Sequence, residues 1–142
     1  MAAVLTELNI RRIPIQSEED IVLVRRMVRE SVISLGFGPT DRTKIVTAAS
    51  ELARNVFKYA GKGELHLRSL RQGRSVGLEL VFEDSGPGIP DVDLALREGF
   101  STSGGLGMGL PGCRRLMDEM VVESGAAWGT RVQARKWLRG ER

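Results

Sequence analysis

The chain has 142 residues, of which 42% are hydrophobic and 27% are charged, and its net charge is +3. This balance predicts one globular domain with an aliphatic core, because aromatic residues make up only 5% of the chain. There is no apolar run of about 18 residues and no signal-peptide pattern, so we expect a cytoplasmic protein that binds no membrane.

The cysteine, histidine and arginine content argues against three kinds of structural or binding site. One cysteine and one histidine argue against an internal disulfide and against a structural zinc site. The arginines are scattered and form no basic tract with interleaved aromatics, so we expect no nucleic-acid binding. A phosphate-rich ligand or an acidic protein partner would explain the arginines equally well.

Hydrophobic periodicity divides the chain into strands and helices. Ser17, followed by three acids and then an apolar helical period, predicts the start of the first helix. Thr40 or Asp41 is the predicted cap of the second helix, and Gly61 is its predicted end. The predicted elements are a strand over 8–15, helices over 18–35 and 41–60, a hairpin of 64–70 and 76–83, helices over 91–98 and 110–120, and a closing hairpin of 120–124 and 130–138.

The predicted second helix carries polar groups on one face. Glu51, Asn55 and Lys58 are spaced by four and three residues, so they fall within about 60° of one another on an α-helix. An asparagine oxygen can bind Mg2+, a lysine can neutralise phosphate, and a glutamate can take a proton from an attacking hydroxyl or water. The same spacing also fits a solvated polar face, so this helix alone leaves both interpretations open.

A carboxylate and two glycines follow the strand that is predicted to end at residue 83. Asp84 could accept a hydrogen bond from the exocyclic amine of adenine, and Gly86 and Gly88 would let the backbone approach the base closely. Asp-Ser-Gly is also an ordinary turn sequence, so this motif gains meaning only from its neighbours.

A glycine-dense segment precedes the predicted helix over 110–120. Glycines at positions 105, 107 and 109 leave backbone N–H groups open to an anion, and a helix start favours phosphate there. The segment could also close over a ligand as a hinge, or it could simply be flexible. Residues 107–112 match the Gly-x-Gly-x-x-Gly of dinucleotide-binding proteins. We reject that match because no strand precedes it and no acid follows at the required distance.

Four single residues receive no catalytic role. His66, on a predicted strand, is expected to be structural or at the surface. Cys113 is expected to be a small buried residue. Trp137 is expected to pack against the sheet, and Trp128, in a hairpin turn, is expected to be exposed.

Taken in order, these motifs resemble the ATP-binding domain of the GHKL superfamily, which includes DNA gyrase, the heat-shock chaperone ATPase, MutL and histidine kinases. The resemblance covers nearly the whole chain. It implies a single domain over 1–142 with the GHKL, or Bergerat, fold: an α/β sandwich with a mixed sheet on one side, helices on the other, and ATP between them. A histidine kinase would need a further helical domain for its phosphoacceptor histidine, for which this chain has no room.

A glutamate at position 51, where histidine kinases usually carry asparagine, is similar to the anti-sigma-factor-type serine kinases. The phrases over 49–60 and 105–119 resemble the RsbT-like switch kinases of the stressosome. This resemblance implies transfer of the γ-phosphoryl group of ATP to a serine on a STAS-domain antagonist, and activation of a PPM-type serine phosphatase by the free kinase. Phosphorylation of the antagonist would then release the kinase, which makes it a partner switch in bacterial stress signalling.

The resemblance also implies a role for each motif residue. Glu51 would be the general base, Asn55 would bind Mg2+, and Lys58 or Arg54 would contact phosphate. Asp84 would bind the adenine amine, and Thr130 would support Asp84. The residues lining the base would be Gly86, Gly88 and Ile89, and those wrapping the phosphates would be Ser103, Gly104, Gly105, Leu106, Gly107, Met108, Gly109 and Leu110.

Two other functions remain open at this point. An anti-sigma factor of the RsbW type would keep the same ATP residues and bind a sigma factor. A nucleotide-binding module without kinase activity is the other possibility, although Glu51, Asn55 and Asp84 argue against it. The identity of the partner (a STAS protein, a sigma factor or neither) would separate the three.

Overall fold

The structure is a computed structural model of the chain, and it describes residues 5–89, 91–97 and 109–139. The elements in chain order are β1 (Leu5–Ile15), α1 (Glu18–Leu35), α2 (Pro39–Ala60), β2 (Gly63–Gln72), β3 (Ser75–Asp84), α3 (Val92–Ala95), α4 (Gly109–Leu116), β4 (Glu119–Gly125) and β5 (Gly129–Trp137).

Five strands form one sheet in the order β1-β2-β3-β5-β4. Every pairing among these strands is antiparallel, so the mixed sheet that we predicted is wrong in this respect. The chain leaves β3, crosses the sheet through α3 and α4, and returns as β4 in the same direction as β3. Because β5 then turns back between β3 and β4, no parallel pair shares hydrogen bonds in the described sheet.

The ends of the first two helices follow local rules. The Ser17 hydroxyl accepts a hydrogen bond from the Asp20 N–H (3.3 Å) at the start of α1, as predicted. Thr40 and Asp41 do not cap α2. Its cap is Gly38, and Pro39 takes the first helical position, where a proline loses no hydrogen bond. Gly61 ends α2 as predicted, with a φ of 83°.

The two short helices end earlier than predicted. α3 is a single turn capped by the Asp91 side chain, and α4 ends at Leu116 instead of residue 120. Lys136, which is only 3% exposed, donates from Nζ to the Leu116 carbonyl (2.8 Å). A buried ammonium therefore satisfies the negative end of α4, and the chain leaves the helix to begin β4 at Glu119.

One face of the sheet packs against the helices. The core contains alternate residues of the strands, such as Leu65 and Leu67 of β2, together with the apolar sides of α1, α2 and α4. The remaining strand residues point to the opposite face, which we call the outer face. It is formed by positions 64, 66 and 68 of β2, 79, 81 and 83 of β3, and 131, 133, 135 and 137 of β5.

Charged side chains pair with one another across the outer face. Glu79 is only 1% exposed, and its carboxylate accepts hydrogen bonds from Arg135 and Gln133 (2.8 Å each), with Arg68 at 3.5 Å. The Trp137 ring packs over Gly77, as expected of a packing residue. Among the described residues, no helix has the length and apolarity that a membrane span requires.

Candidate functional site

A cavity of about 390 Å3 lies between α2, the β3–β5 half of the sheet, α3 and the start of α4. Its volume is within the range of small-molecule sites, and its walls are mainly aliphatic, as such sites require. The apolar walls include Leu52 and Val56 of α2, Phe82 of β3, Val132 of β5, Ile89 and Leu110. The polar residues of the lining are Asn55, Tyr59, Asp84, Asp91 and Thr130.

Asp84 lies at the end of β3, where the strand opens into the cavity. Its Oδ1 accepts a hydrogen bond from the Gly86 N–H (2.9 Å), which fixes the orientation of the carboxylate. Thr130 is its cross-strand partner on β5. Both residues line the cavity, and the predicted support of Asp84 by Thr130 stays a prediction.

Glycines bring three backbone segments into contact beside Asp84. A Cβ on Gly86 would lie 2.7 Å from the Ala60 Cβ of α2, so only glycine lets this loop approach the helix. Gly88 and Gly129 have φ values of 83° and 118°, a region that side-chain-bearing residues rarely adopt. A Cβ on Gly129 would collide with the Asp84 carbonyl oxygen. Gly88 and Ile89 line the cavity, whereas Gly86 acts through this close packing.

Ser124, near the end of β4, was missed by the sequence reasoning. Its hydroxyl accepts from the Ile89 N–H (2.6 Å), lies 3.1 Å from the Gly129 carbonyl, and lies 2.9 Å from the Thr130 hydroxyl. It therefore ties the loop after β3 to the closing hairpin. A serine before a hairpin glycine is common in turns, so the sequence held no signal for this long-range contact.

The four polar residues predicted on α2 have different environments. Asn55 lines the cavity. Glu51 is 7% exposed, and its carboxylate pairs with the Arg54 guanidinium at 3.2 Å. The Lys58 ammonium lies 5.2 Å from the centroid of the Tyr59 ring, and both Arg54 and Lys58 are exposed. Solvent exposure therefore increases along the predicted polar face, from the buried Glu51 through the cavity-lining Asn55 to the exposed Lys58.

Cys113 on α4 lies close to this helix face. Its Sγ is 3.9 Å from the Ala48 carbonyl oxygen, and the residue is fully buried, as predicted. Burial, with a smaller contribution from the Glu51 carboxylate, raises the pKa of the thiol from 9.0 to about 12. The thiol is therefore not a nucleophile, because its thiolate is disfavoured. This electrostatic effect also indicates that the Glu51 carboxylate lies near Cys113 of α4.

Part of the predicted phosphate loop lies outside the described residues. This applies to Ser103, Gly104, Gly105, Leu106, Gly107 and Met108. Gly109 and Leu110, at the start of α4, are described and line the cavity. Arg114 on α4 donates a hydrogen bond to the Leu96 carbonyl (3.1 Å). This contact joins the residues that precede the undescribed segment to those that follow it.

The sequence profile described as histidine kinase-, DNA gyrase B- and HSP90-like ATPase matches residues 40–140. The chain is 51% identical over 125 residues to serine/threonine-protein kinase RsbT of Bacillus subtilis (strain 168), covering 88% of this chain and 94% of that protein. It is 32% identical over 100 residues to anti-sigma F factor of Thermoanaerobacter sp. (strain X514), covering 66% of this chain and 68% of that protein.

Solved structures agree at the level of the fold. The crystal structure of the RsbU and RsbW domains of Rv1364c from Mycobacterium tuberculosis superposes with a TM-score of 0.61 at 18% identity, covering 95% of this chain and 34% of that one. The profile match and the 51% identity over most of both chains agree with the antiparallel sheet, its helical layer and the cavity between them. The chain therefore belongs to the histidine kinase-, DNA gyrase B- and HSP90-like ATPase family and, within it, to the RsbT-like serine/threonine-protein kinases.

Proposed function

We propose that this chain transfers the γ-phosphoryl group of ATP to a serine on a STAS-domain antagonist. When it is not held by that antagonist, it activates a PPM-type serine phosphatase. The observation that carries the proposal is the apolar cavity that ends at an oriented carboxylate, Asp84, on a chain 51% identical to RsbT.

The adenine end of the site is formed by Asp84 and the aliphatic cavity walls. The Gly86 N–H donates to Asp84 Oδ1, and the same carboxylate accepts a hydrogen bond from the exocyclic amine of the base. Aliphatic side chains from α2 and the sheet cover the faces of the ring. Thr130 supports this arrangement from β5, because it is paired with Asp84 across the sheet.

The phosphate end of the site is formed by α2 and the start of α4. Asn55 offers a side-chain oxygen inside the cavity, which is the ligand type that Mg2+ prefers. When bound, Mg2+ supplies positive charge that neutralises the phosphates. Lys58 or Arg54 adds a cation from the exposed side of α2. In this proposal the glycine-dense segment would supply backbone N–H groups to the phosphates, and its described residues Gly109 and Leu110 line the cavity.

Glu51 is the general base of the proposal. Its carboxylate is mostly buried, is paired with Arg54, and lies near Cys113 of α4. A substrate serine bound beside this part of α2 would meet this carboxylate, which would accept the hydroxyl proton as the oxygen attacks the γ-phosphorus of ATP. Arg54 orients the carboxylate, so it acts on the reaction through Glu51 as well as through any contact with phosphate.

The 32% identity to an anti-sigma F factor favours a second candidate function. In that case the chain would bind a sigma factor and would use the same ATP site to control release. Both candidates need nucleotide binding at Asp84, and they differ in the protein that is bound. Binding assays with a STAS protein, a PPM-type phosphatase and a sigma factor from the same genome would therefore separate them.

The decisive experiment incubates the purified chain with γ-labelled ATP, Mg2+ and a STAS-domain protein from the same genome neighbourhood. We expect label on a STAS serine, and we expect Glu51→Ala to lose most of that transfer while it still binds ATP. Glu18→Gln, which removes an exposed carboxylate at the start of α1, is the matched control and should transfer at the wild-type rate. If Glu51→Ala transferred phosphate at that rate, Glu51 would not be the base. If the wild type labelled no STAS protein but bound a sigma factor, the second candidate would replace the first.

A further inference from the structure

Three side chains that can bind a metal converge on the outer face, away from the nucleotide cavity. The imidazole of His66 and the carboxylates of Glu64 and Glu83 each place one donor atom within 4.8 Å of the other two. The His66 Nε2 lies 2.7 Å from Glu64 Oε2 and 3.9 Å from Glu83 Oε1. We propose that these residues form a Zn2+ site that is separate from the Mg2+–ATP site.

The sheet register explains why these residues meet. Glu64 and Glu83 are direct cross-strand partners on β2 and β3, and His66 lies two residues along β2, so all three point to the same face. Two paired strands fix the backbone of all three ligands. A site on such a rigid base needs only side-chain rotations to accept an ion.

The observed distances lie on both sides of those in a tetrahedral zinc site. Zinc–ligand bonds of about 2.0–2.2 Å place neighbouring donor atoms roughly 3.3–3.6 Å apart. On zinc binding, the His66 Nε2–Glu64 Oε2 distance of 2.7 Å must increase, and the His66 Nε2–Glu83 Oε1 distance of 3.9 Å must decrease. The Glu64 and Glu83 side chains are 42% and 41% exposed, so both can rotate, and the open side of the site admits water as the fourth ligand.

The surroundings of the cluster orient its ligands. Arg131 donates from Nε to Glu83 Oε2 (3.2 Å), which directs Oε1 towards His66. Arg131 also lies 3.6 Å from Glu123, so its positive charge is shared between two carboxylates. The His66 side chain is 13% exposed, and its ring is therefore held in place. Such outer contacts are typical of protein metal sites, where they fix the direction of each ligand.

The chemistry of the three groups favours a cation over ion pairing alone. When the imidazole carries a proton on Nε2, that N–H can donate a hydrogen bond to Glu64 Oε2 at 2.7 Å. Glu83 Oε1, at 3.9 Å, is then beyond hydrogen-bond distance of the ring. A divalent ion would instead bind all three donors. The imidazole nitrogen favours zinc over magnesium or calcium, because those harder ions prefer an all-oxygen set.

The test uses the untagged, metal-free full chain in the absence of nucleotide. Calorimetric titration with Zn2+ should show one ion per chain, and titration with Co2+ should show the visible absorption of a four-coordinate ion. Glu64→Gln, His66→Asn and Glu83→Gln should each weaken Zn2+ binding by at least roughly tenfold, since loss of a residue that only hydrogen-bonds to a metal ligand already has such an effect. Circular dichroism of each metal-free variant checks that the fold is retained.

Two control variants make the result specific. Glu119→Gln removes a carboxylate of β4 that pairs with Arg135 and Trp137, and it should bind Zn2+ like the wild type. Cys113→Ala, which removes the only thiol, should also bind normally. Absence of Zn2+ binding by the wild type, equal binding by all three cluster variants, or loss of binding in Cys113→Ala would each overturn the proposal.

Discussion

Replacing Ser124 by alanine should weaken both the fold and ATP binding, although the residue does not line the cavity in the described structure. Its hydroxyl joins three segments: the loop after β3 at Ile89, the hairpin at Gly129, and β5 at Thr130. A serine hydroxyl has one proton to donate and can accept two. One donation to Gly129 and acceptance from Ile89 and Thr130 use this capacity fully.

The expected size of the effect follows from these contacts. The Thr130 hydroxyl can find another partner, whereas the half-buried Ile89 N–H loses its acceptor when Ser124 becomes alanine. An intramolecular hydrogen bond contributes about 1 kcal/mol, and an unsatisfied donor costs about 1–3 kcal/mol. We therefore expect the free energy of unfolding to fall by about 1–3 kcal/mol. Because Ile89 lines the cavity, about 1 kcal/mol of this should appear as a roughly fivefold higher Kd for ATP.

The assay combines thermal unfolding with calorimetric titration of a non-hydrolysable ATP analogue and Mg2+. For a domain of this size, each kcal/mol should lower Tm by about 3 °C. Ser75→Ala is the matched control, because Ser75 is exposed and begins β3 at the opposite end of that strand from Asp84. Wild-type values of both Tm and Kd in Ser124→Ala would refute the reasoning, since they would mean that the loop holds its position without this hydroxyl.

Three further substitutions test the cavity and the core. Asp84→Asn should raise the Kd for ATP by about 5–100-fold, because an amide can present a donor where adenine requires an acceptor; titration with the ATP analogue measures this, and an unchanged Kd would exclude the adenine role. Gly129→Ala should lower the free energy of unfolding by at least about 1 kcal/mol, because its φ of 118° and its contact with the Asp84 carbonyl leave no room for a Cβ; denaturant unfolding that matched the wild type would contradict this. Burial raises the pKa of the Cys113 thiol to about 12, against about 9 in the unfolded chain. The folded state therefore holds this proton more tightly, so the contribution of the thiol to the free energy of unfolding is complete below pH 9 and is lost as the pH rises towards 12. The stability of the wild type should therefore decline more steeply over that pH range than that of Cys113→Ala, and parallel pH profiles would show that the thiol is not protected.

The positions of the helices and strands could be predicted because their signals are local. Ser17 starts α1 and Gly61 ends α2, as their cap chemistry indicates. Both hairpins also lie where alternation placed them. The cap of α2 was wrong for a local reason, because Pro39 takes the first helical position, whereas the early end of α4 has a tertiary cause. α4 ends early because the buried Lys136, from a distant strand, takes up the Leu116 carbonyl.

The candidate site was predictable in its motifs but not in its geometry. One cavity is lined by several of the predicted residues, among them Asn55, Asp84, Gly88, Ile89 and Thr130. In contrast, the burial of Glu51 and the exposure of its helix neighbours depend on how α4 and the sheet pack against α2. Helical spacing gives the angle of a residue around its own axis, and it gives no information on what that face will meet.

Local signals in the sequence account for the order of the elements, the positions of the turns and the glycines that allow close approach, because caps, periodicity and backbone freedom act within a few residues. The convergence of distant groups depends instead on the tertiary fold. Ser124 reaches Ile89 across 35 residues, and Glu83 joins Glu64 and His66 through the register of β2 and β3. Strand register and helix docking are set by the whole core, so the contacts that they create have no local signature in the chain.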